Sequence, residues 1–418
     1  MEFSRVSCAV WPAVIVSHMN ELDLLELDLL EEHLHALLPT EWFDVVRQED
    51  WVALRELHVA LGGTRIVGEI GKHGWTAPHW PREHGGRGAN EATARKIIER
   101  LDELVAPRIP RGTGFILAAP AIRQFSREET KRLFLPGIAA ATQMWAQLFS
   151  EPGAGSDLAS LACKAERDGD EWVVTGQKVW TTLGHEADIG MLIARTDPNA
   201  PKNKGITYFG VDMHAPGVEV RPLVHMTGDH EFNEVFLNEV RIPDLWRISD
   251  VNDGWAASTA SLSAERITLS GQKTGGPQKR SILGGKTIDE LIALAQSRTL
   301  SAVQRERVVQ CYIDARVLGL TVQRVKGPAG SITKIMKAKS NQEVQLVALD
   351  ILGSAVTAWE PSDGEMPKYV REFLRTRANS IEGGTSEIQR NIVGERVLGL
   401  PREPDVWQGK AWREVPRS

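Results

Sequence analysis

Residues 149–157 read Phe149-Ser150-Glu151-Pro152-Gly153-Ala154-Gly155-Ser156-Asp157. Pro152, Gly153 and Gly155 fall close together between Ser150 and Ser156. Glycine opens backbone conformations closed to other residues and lets a ligand approach the main chain. Backbone N–H groups and small hydroxyls suit a phosphate or the polar edge of a ring. An ordinary surface turn has the same composition, and a short glycine motif does not choose between the two by itself.

The stretch also divides the periodicity of the chain. Before it, apolar residues recur at helical spacing, as in Leu22, Leu25, Leu29 and then Leu30, Leu34, Leu37 and Leu38, stopped by Pro39. Further helical runs fall at 49–62, 90–105 and 126–148. After it come short β-branched and alternating runs at 172–174, 179–182, 189–194, 206–211, 218–220 and 234–237, with turns at Asp168-Gly169 and Pro216-Gly217. Strands with no helix between them predict an antiparallel β domain. From Asn252 the pattern is helical again, with runs at 287–318, 331–353 and 386–397 and an interruption at 271–286. The fold class read from this order is α+β and multidomain. A helical domain is expected over 19–145, a β domain over 146–248 and a helical bundle over 249–418, with residues 1–18 either a disordered extension or the product of a start codon chosen upstream of Met19.

Composition bounds the function. At 418 residues the chain is too long for one small core. A formal charge of −6 gives no electrostatic reason to expect nucleic acid or an anionic membrane as partner. Cys8, Cys163 and Cys311 form neither a disulfide framework nor a metal-ligand spacing, which suits small buried residues in a reducing cytoplasm. The apolar run from Cys8 to Val16 is too short to span a bilayer, and Pro12 interrupts it. His79 and His84, in a Gly/Pro-rich loop at 74–88, have no Cys or acidic partner at metal spacing and read as solvated histidines. No strand–GxGxxG–helix unit is present, which disfavours a Rossmann site. A metalloenzyme or nucleophilic hydrolase has no ligand cluster or nucleophile elbow to support it.

Two further blocks complete a pattern: Gln177-Lys178-Val179-Trp180-Thr181-Thr182, and Ile381-Glu382-Gly383-Gly384-Thr385-Ser386-Glu387-Ile388-Gln389-Arg390. With 149–157, and in this order, they resemble the acyl-CoA dehydrogenase family of flavoproteins, from Gly74 to Pro404. The resemblance implies FAD as cofactor, an acyl-CoA thioester as substrate and a place in lipid metabolism and fatty acid β-oxidation. In that reaction a carboxylate takes a proton from Cα while hydride leaves Cβ for the flavin N5. The protein must hold the flavin, place a base opposite it, supply donors to the enolate-like oxygen and exclude water. By resemblance, Gln147, Leu148, Phe149 and Ser150 line the isoalloxazine, while Gly155 and Ser156 approach it or the pyrophosphate. Trp180 would stack on the ring, with Thr181 and Thr182 offering a hydroxyl; a core tryptophan is the alternative for Trp180. Thr385, Ser386 and Glu387 would contact the adenosine diphosphate, and Ser156 the thioester or pantetheine.

The base is the informative position. Many members carry a glutamate directly before the Gly-Thr of the last block, and here that position is Gly383. Isovaleryl- and long-chain-type members place the base on the helix after the β domain, in a Glu-Arg pair. This chain has Leu262-Ser263-Ala264-Glu265-Arg266. Glu265 is therefore expected to be the base, its carboxyl pKa raised when substrate desolvates it. Arg266 would fix its helix against the substrate, and Gly383 would offer a backbone N–H to the enolate oxygen. Glu382 is the alternative base, and a solvated Glu265-Arg266 ion pair the bland reading.

Relatives carry an Arg-x-x-Phe-Gly block and a Gln-x-x-Gly-Gly run that act across subunit interfaces. The corresponding residues here, 271–286 and Asp350-Ile351-Leu352-Gly353-Ser354, do not match. Both a homo-oligomer and a hetero-oligomer with a second family chain stay open. So do a non-catalytic partner subunit and an oxidase that passes electrons to oxygen in place of electron-transferring flavoprotein.

Overall fold

The leucines that open the chain build a helical layer. In a computed structural model, which describes residues 21–104, 112–270, 285, 287–356, 358–360 and 364–416, they lie on α1 (Glu21–Leu37). The expected extension at 1–18 and most of the interruption at 271–286 lie outside the described residues. Contacts divide the chain into two compact units, one taking 1–111 with 132–142 and the other 112–131 with 143–418.

In the first unit α1 is followed by α2 (Thr40–Arg47), α3 (Trp51–Ala60), α4 (Gly63–Lys72) and α5 (Glu91–Glu103). Their shared core holds Leu30, Leu34, Trp42, Ile66, Ile70, Trp75 and Ile97. The Trp42 indole N–H donates to the Leu104 carbonyl at 3.2 Å, so its one polar atom is satisfied inside that core. In the loop before α5, His79 is exposed and His84 is buried. The solvated reading of His84 is corrected, because the short helix Arg82–His84 turns it inward.

The second unit opens with a π-helical turn, Gly114–Ala118, running into α6 (Ala119–Phe125). In chain order helix α7 (Glu128–Ala139) follows, its residues from Arg132 counted in the first unit, and then the sheet of the second. Its strands are β1 (Trp145–Leu148), β2 (Lys164–Asp168), β3 (Glu171–Thr182), β4 (Ile189–Arg195), β5 (Ile206–Asp212), β6 (Val218–Leu223) and β7 (Phe232–Pro243). The order is β1-β4-β2-β3-β7-β6, with β5 paired to β4. The expected antiparallel sheet is mixed: β1 runs parallel to β4, Trp145 opposite Ile189. Residues 145–148, expected as the end of a helix, form β1 instead. The helix stops at Ala139, and Ala141, with φ 51°, turns the chain into β1. The runs at 172–174 and 179–182 are one strand, β3. The Asp168-Gly169 turn is present, with φ 63° at Gly169 joining β2 to β3. Inward residues Leu148, Cys163, Val174, Leu192, Phe209, Val235 and Leu237 form the core of the sheet.

Helix α8 (Gly254–Ser270) leaves the sheet, followed by α9 (Ile288–Gln296), α10 (Ala302–Arg324), α11 (Gly330–Leu352), α12 (Lys368–Thr376) and α13 (Ser386–Ile392). The run expected as one helix at 287–318 is two. Thr287 with Glu290 and Ser301 with Gln304 each form a capping box, and the second starts a new helix. Helix α12 was not expected. Helix α11 packs against α8, α10, α12 and α13, which makes it the central support of this region. Among the described residues no helix is long and apolar enough to cross a membrane.

Candidate active site

The stretch at 149–157 is fastened from inside by a charge the sequence reading passed over. Glu151 is 8% exposed and Lys178, on β3, is fully buried. The Glu151 carboxylate accepts from Lys178 Nζ at 2.7 Å and from the Cys163 and Ala162 N–H groups at 2.9 and 2.7 Å. Lys178 Nζ also donates to the Phe149 carbonyl at 3.1 Å, and the Val179 N–H to the Ser150 carbonyl at 2.9 Å. Pro152 and Gly153 close a tight turn in which Glu151 and Ala154 exchange backbone bonds at 3.0 Å. Of the residues singled out, Leu148 has no exposed surface and Phe149 packs edge-on to Tyr208, so neither side chain is presented to a ligand. Gln147 and Ser150 are half-buried, and Gly155 and Ser156 are exposed. A Cβ added at Gly155 would meet nothing within 4 Å, so the space over this glycine is open. Burial pushes the neighbouring Cys163 thiol up to about 11, which leaves it an inert core residue.

Trp180 is not a core residue. Its backbone takes φ 62° where the pairing of β3 with β7 breaks register between Lys178 and Thr181. A left-handed backbone at a bulky residue is strained, and such strain concentrates at functional sites. The conformation leaves the indole 54% exposed, resting edge-on against Phe232 with ring centres 5.8 Å apart. Thr182 is exposed. Thr181 is fully buried, and its hydroxyl has no hydrogen-bond partner among the described residues.

Glu265 lies on α8, half-buried. The helix is seated on β5: Gly254 approaches the Thr207–Tyr208 backbone so closely that a Cβ would stand 2.6 Å from it. Ser261 donates to the Leu117 carbonyl at 2.9 Å, and its hydroxyl lies 3.3 Å from the Tyr208 hydroxyl. Glu265 is one turn beyond Ser261 on the same helix face. Tyr208 therefore touches both Phe149 of the opening motif and the face that carries Glu265. The side chain of Arg266 lies outside the described residues.

The last motif forms a turn after α12. Glu382 is locked: Arg375 reaches its two oxygens at 3.3 and 3.1 Å, and Asn379 donates to one at 2.8 Å. Gly383 and Gly384 follow with φ 64° and 90°. Thr385 caps α13, its hydroxyl accepting from the Ile388 N–H at 3.2 Å. Ser386 is buried, and exposed Glu387 pairs with Arg390 at 2.9 Å. Two residues of this turn's support carried no sequence signal. Lys334 on α11 donates to the Gly384 carbonyl at 2.7 Å, and Gln389 donates to the Gly383 carbonyl at 3.1 Å. Burial lowers the Lys334 pKa, while Glu382, Glu387 and Glu265 act to raise it, so the three carboxylates share its surroundings.

The chain matches the N-terminal, middle and C-terminal domains of acyl-CoA dehydrogenase over residues 44–142, 146–240 and 252–398. It is 38% identical over 340 residues to acyl-CoA dehydrogenase IpdE1 of Mycobacterium tuberculosis, covering 79% of this chain and 86% of that one. Acyl-CoA dehydrogenase FadE34 of the same organism is 40% identical over 338 residues, a match that covers 79% of this chain and 45% of that longer one. Among solved structures, the Tcur3481-Tcur3483 steroid ACAD superposes with a TM-score of 0.65 at 26% identity, covering 92% of this chain and 99% of that one. Matched along its three domains in order, the chain belongs to the acyl-CoA dehydrogenase family, the FAD-dependent oxidoreductases that act on acyl-CoA thioesters.

Proposed function

We propose that this chain dehydrogenates the Cα–Cβ bond of an acyl-CoA thioester, with Glu265 accepting the Cα proton. The residues present fit FAD. An exposed indole on a strained backbone and open space over Gly155 are what a planar ring would use. When bound, FAD supplies the acceptor for the hydride that leaves Cβ. Trp180 gives that ring a flat face. Thr182, exposed beside it, gives it a hydroxyl, while fully buried Thr181 is not presented to a ligand; Gln147, Ser150, Gly155 and Ser156 give its edge contacts, and Thr385, Ser386 and Glu387 contacts toward the adenosine end. Ser156 and Arg266 are the proposed substrate residues, and Gly383 the proposed main-chain donor to the thioester oxygen.

The observation that carries the base assignment is the state of Glu382. Glu382 already accepts from a guanidinium at both oxygens and from an amide at one, which keeps its carboxylate turned toward Arg375 and Asn379. Glu265 instead stands on a helix packed against α11, beside the turn that holds Gly383. Electron-transferring flavoprotein is the proposed electron acceptor. The resemblance to a steroid ACAD supports a bulky acyl group and keeps a two-chain assembly beside a homo-oligomer.

Anaerobic mixing of the purified chain with straight, branched and steroid-linked acyl-CoA thioesters tests this. Flavin absorbance should bleach with the substrate class. Glu265→Gln should keep its flavin and stop bleaching, while Glu382→Gln should still bleach. Normal turnover by Glu265→Gln refutes the assignment; a stable, colourless chain points to a partner subunit that completes another chain's site.

A further inference from the structure

Lys334 belongs to none of the sequence motifs, yet it is 3% exposed and bonded to the turn beside the proposed base. Gly383 and Gly384 there both take left-handed backbone, and both of their carbonyls are fastened: Gly384 by Lys334 Nζ at 2.7 Å and Gly383 by fully buried Gln389 at 3.1 Å. A peptide unit is planar and trans, so its N–H points opposite to its carbonyl. Fastening these carbonyls from the side of α11 and α13 turns the N–H groups of Gly384 and Thr385 the other way. A buried ammonium must also be compensated. Three carboxylates act on Lys334 from three elements: Glu265 on α8, Glu382 in the turn and Glu387 on α13. Glu382 is shared with Arg375 and Glu387 with Arg390. Lys337 lies on the same helix one turn away, its pKa lowered by burial, and Arg377 bonds the Gln342 carbonyl of α11.

We infer that Lys334 is a positioning residue for the proposed dehydrogenation: it holds the Gly383–Thr385 turn so that the Gly384 and Thr385 N–H groups, beside the Gly383 donor, are aimed at the thioester oxygen. The inference rests on Glu265 being the base. An acyl-CoA analogue with sulfur in place of Cβ can lose the Cα proton but cannot give hydride, so it reports proton abstraction alone, as a long-wavelength absorbance of the enolate beside the flavin. Losing positioned donors to the enolate oxygen raises the pH needed to form the enolate. In Lys334→Met and Lys334→Gln the midpoint for enolate formation should rise by about one pH unit. In Lys334→Arg it should stay near the parent. With a reacting substrate, kcat should fall by about tenfold in Lys334→Met with KM little changed.

Unmoved midpoints and parental kcat in Lys334→Met and Lys334→Gln overturn the inference. If Lys334→Met does not fold, the pair Lys334→Arg and Lys334→Gln decides, and equal midpoints in the two overturn it. Glu265→Gln run beside them separates the readings. Enolate formed as in the parent by that variant overturns the base itself, whereas its failure to form enolate, with the Lys334 variants unmoved, overturns the Lys334 role alone.

Discussion

Replacing Lys178 by methionine tests whether the opening motif is held by charge. Methionine keeps most of the hydrocarbon volume, so the change adds little cavity. What is lost is the ammonium that bonds Glu151 at 2.7 Å and the Phe149 carbonyl at 3.1 Å. Breaking a buried ion pair by removing one partner costs about 3–5 kcal/mol, because the other charge stays buried. Glu151 would keep the Ala162 and Cys163 N–H bonds, which puts the cost at the lower end, about 3 kcal/mol. For a unit of this size about 1 kcal/mol shifts Tm by about 2–4 °C, so a fall of about 6–12 °C is expected. Adding Glu151→Gln removes the second charge, and the double variant should lose less than the sum of the singles by at least about 1 kcal/mol. The assay is thermal melting of the four proteins of the cycle, with flavin retained after gel filtration as a second readout. Ser150, Gly155 and Ser156 should loosen with the brace, so the singles should also shed flavin. A Lys178→Met protein that melts within about 2 °C of the parent and stays yellow would refute the reasoning.

Three other changes separate structure from function. Trp180→Gly should cost less than about 1 kcal/mol, because releasing a left-handed backbone returns about 1–2 kcal/mol against the packing lost on Phe232. Flavin content should nevertheless collapse; a Tm drop above about 10 °C, with flavin kept, would contradict a stacking role. Asp244 is held well below the usual carboxylate range by Arg247, with Trp172 and Arg127 adding to the effect, and its side chain is 16% exposed. Its stabilising contribution is complete above the ordinary aspartate value of 3.8 and fades as pH falls toward the lower folded value. Asp244→Asn should therefore cost about 2 kcal/mol at neutral pH, with the gap to the parent narrowing below pH ~4 in acid melts. Near the C-terminus, the Trp412 ring lies 4.8 Å from the buried Arg195 guanidinium and its N–H donates to the Ser160 carbonyl at 3.2 Å. Trp412→Ala should cost about 2 kcal/mol and speed tryptic cleavage after Lys410, and unchanged cleavage would count against a docked tail.

What the sequence made legible follows from which physical signals are local. Leu27, Leu30 and Leu34 of α1 recur at helical spacing on one buried face, and β4 and β5 are short apolar runs buried on both faces, so local pattern found them. Strand β1 escaped because its four residues continue an apolar helical run, and only the left-handed turn at Ala141 separates them. The break between α9 and α10 escaped because a capping box is a hydrogen-bond signal inside an apolar pattern that continues across it. At the site, Trp180 and the glycine turns were marked by composition. Lys178, Glu151, Lys334 and Arg375 were not, because a lysine in sequence looks solvated until tertiary structure shows which carbonyl it meets.

The two loops proposed to face the ligands share one device. The Phe149 carbonyl in the first and the Gly384 carbonyl in the second each accept from a buried lysine, on β3 and on α11. Glycine-rich loops lose more backbone entropy on ordering than other segments, and apolar packing cannot satisfy a buried carbonyl. A lysine on a rigid element supplies a donor, and a partly buried carboxylate nearby makes the ammonium tolerable. Such an anchor is sensitive to direction in a way that a methyl contact is not. Loss of either lysine should therefore change where the loop's outer atoms stand before it changes whether the chain folds. On this view the glycines let the loops approach a ligand closely, and the lysines beneath them fix the approach.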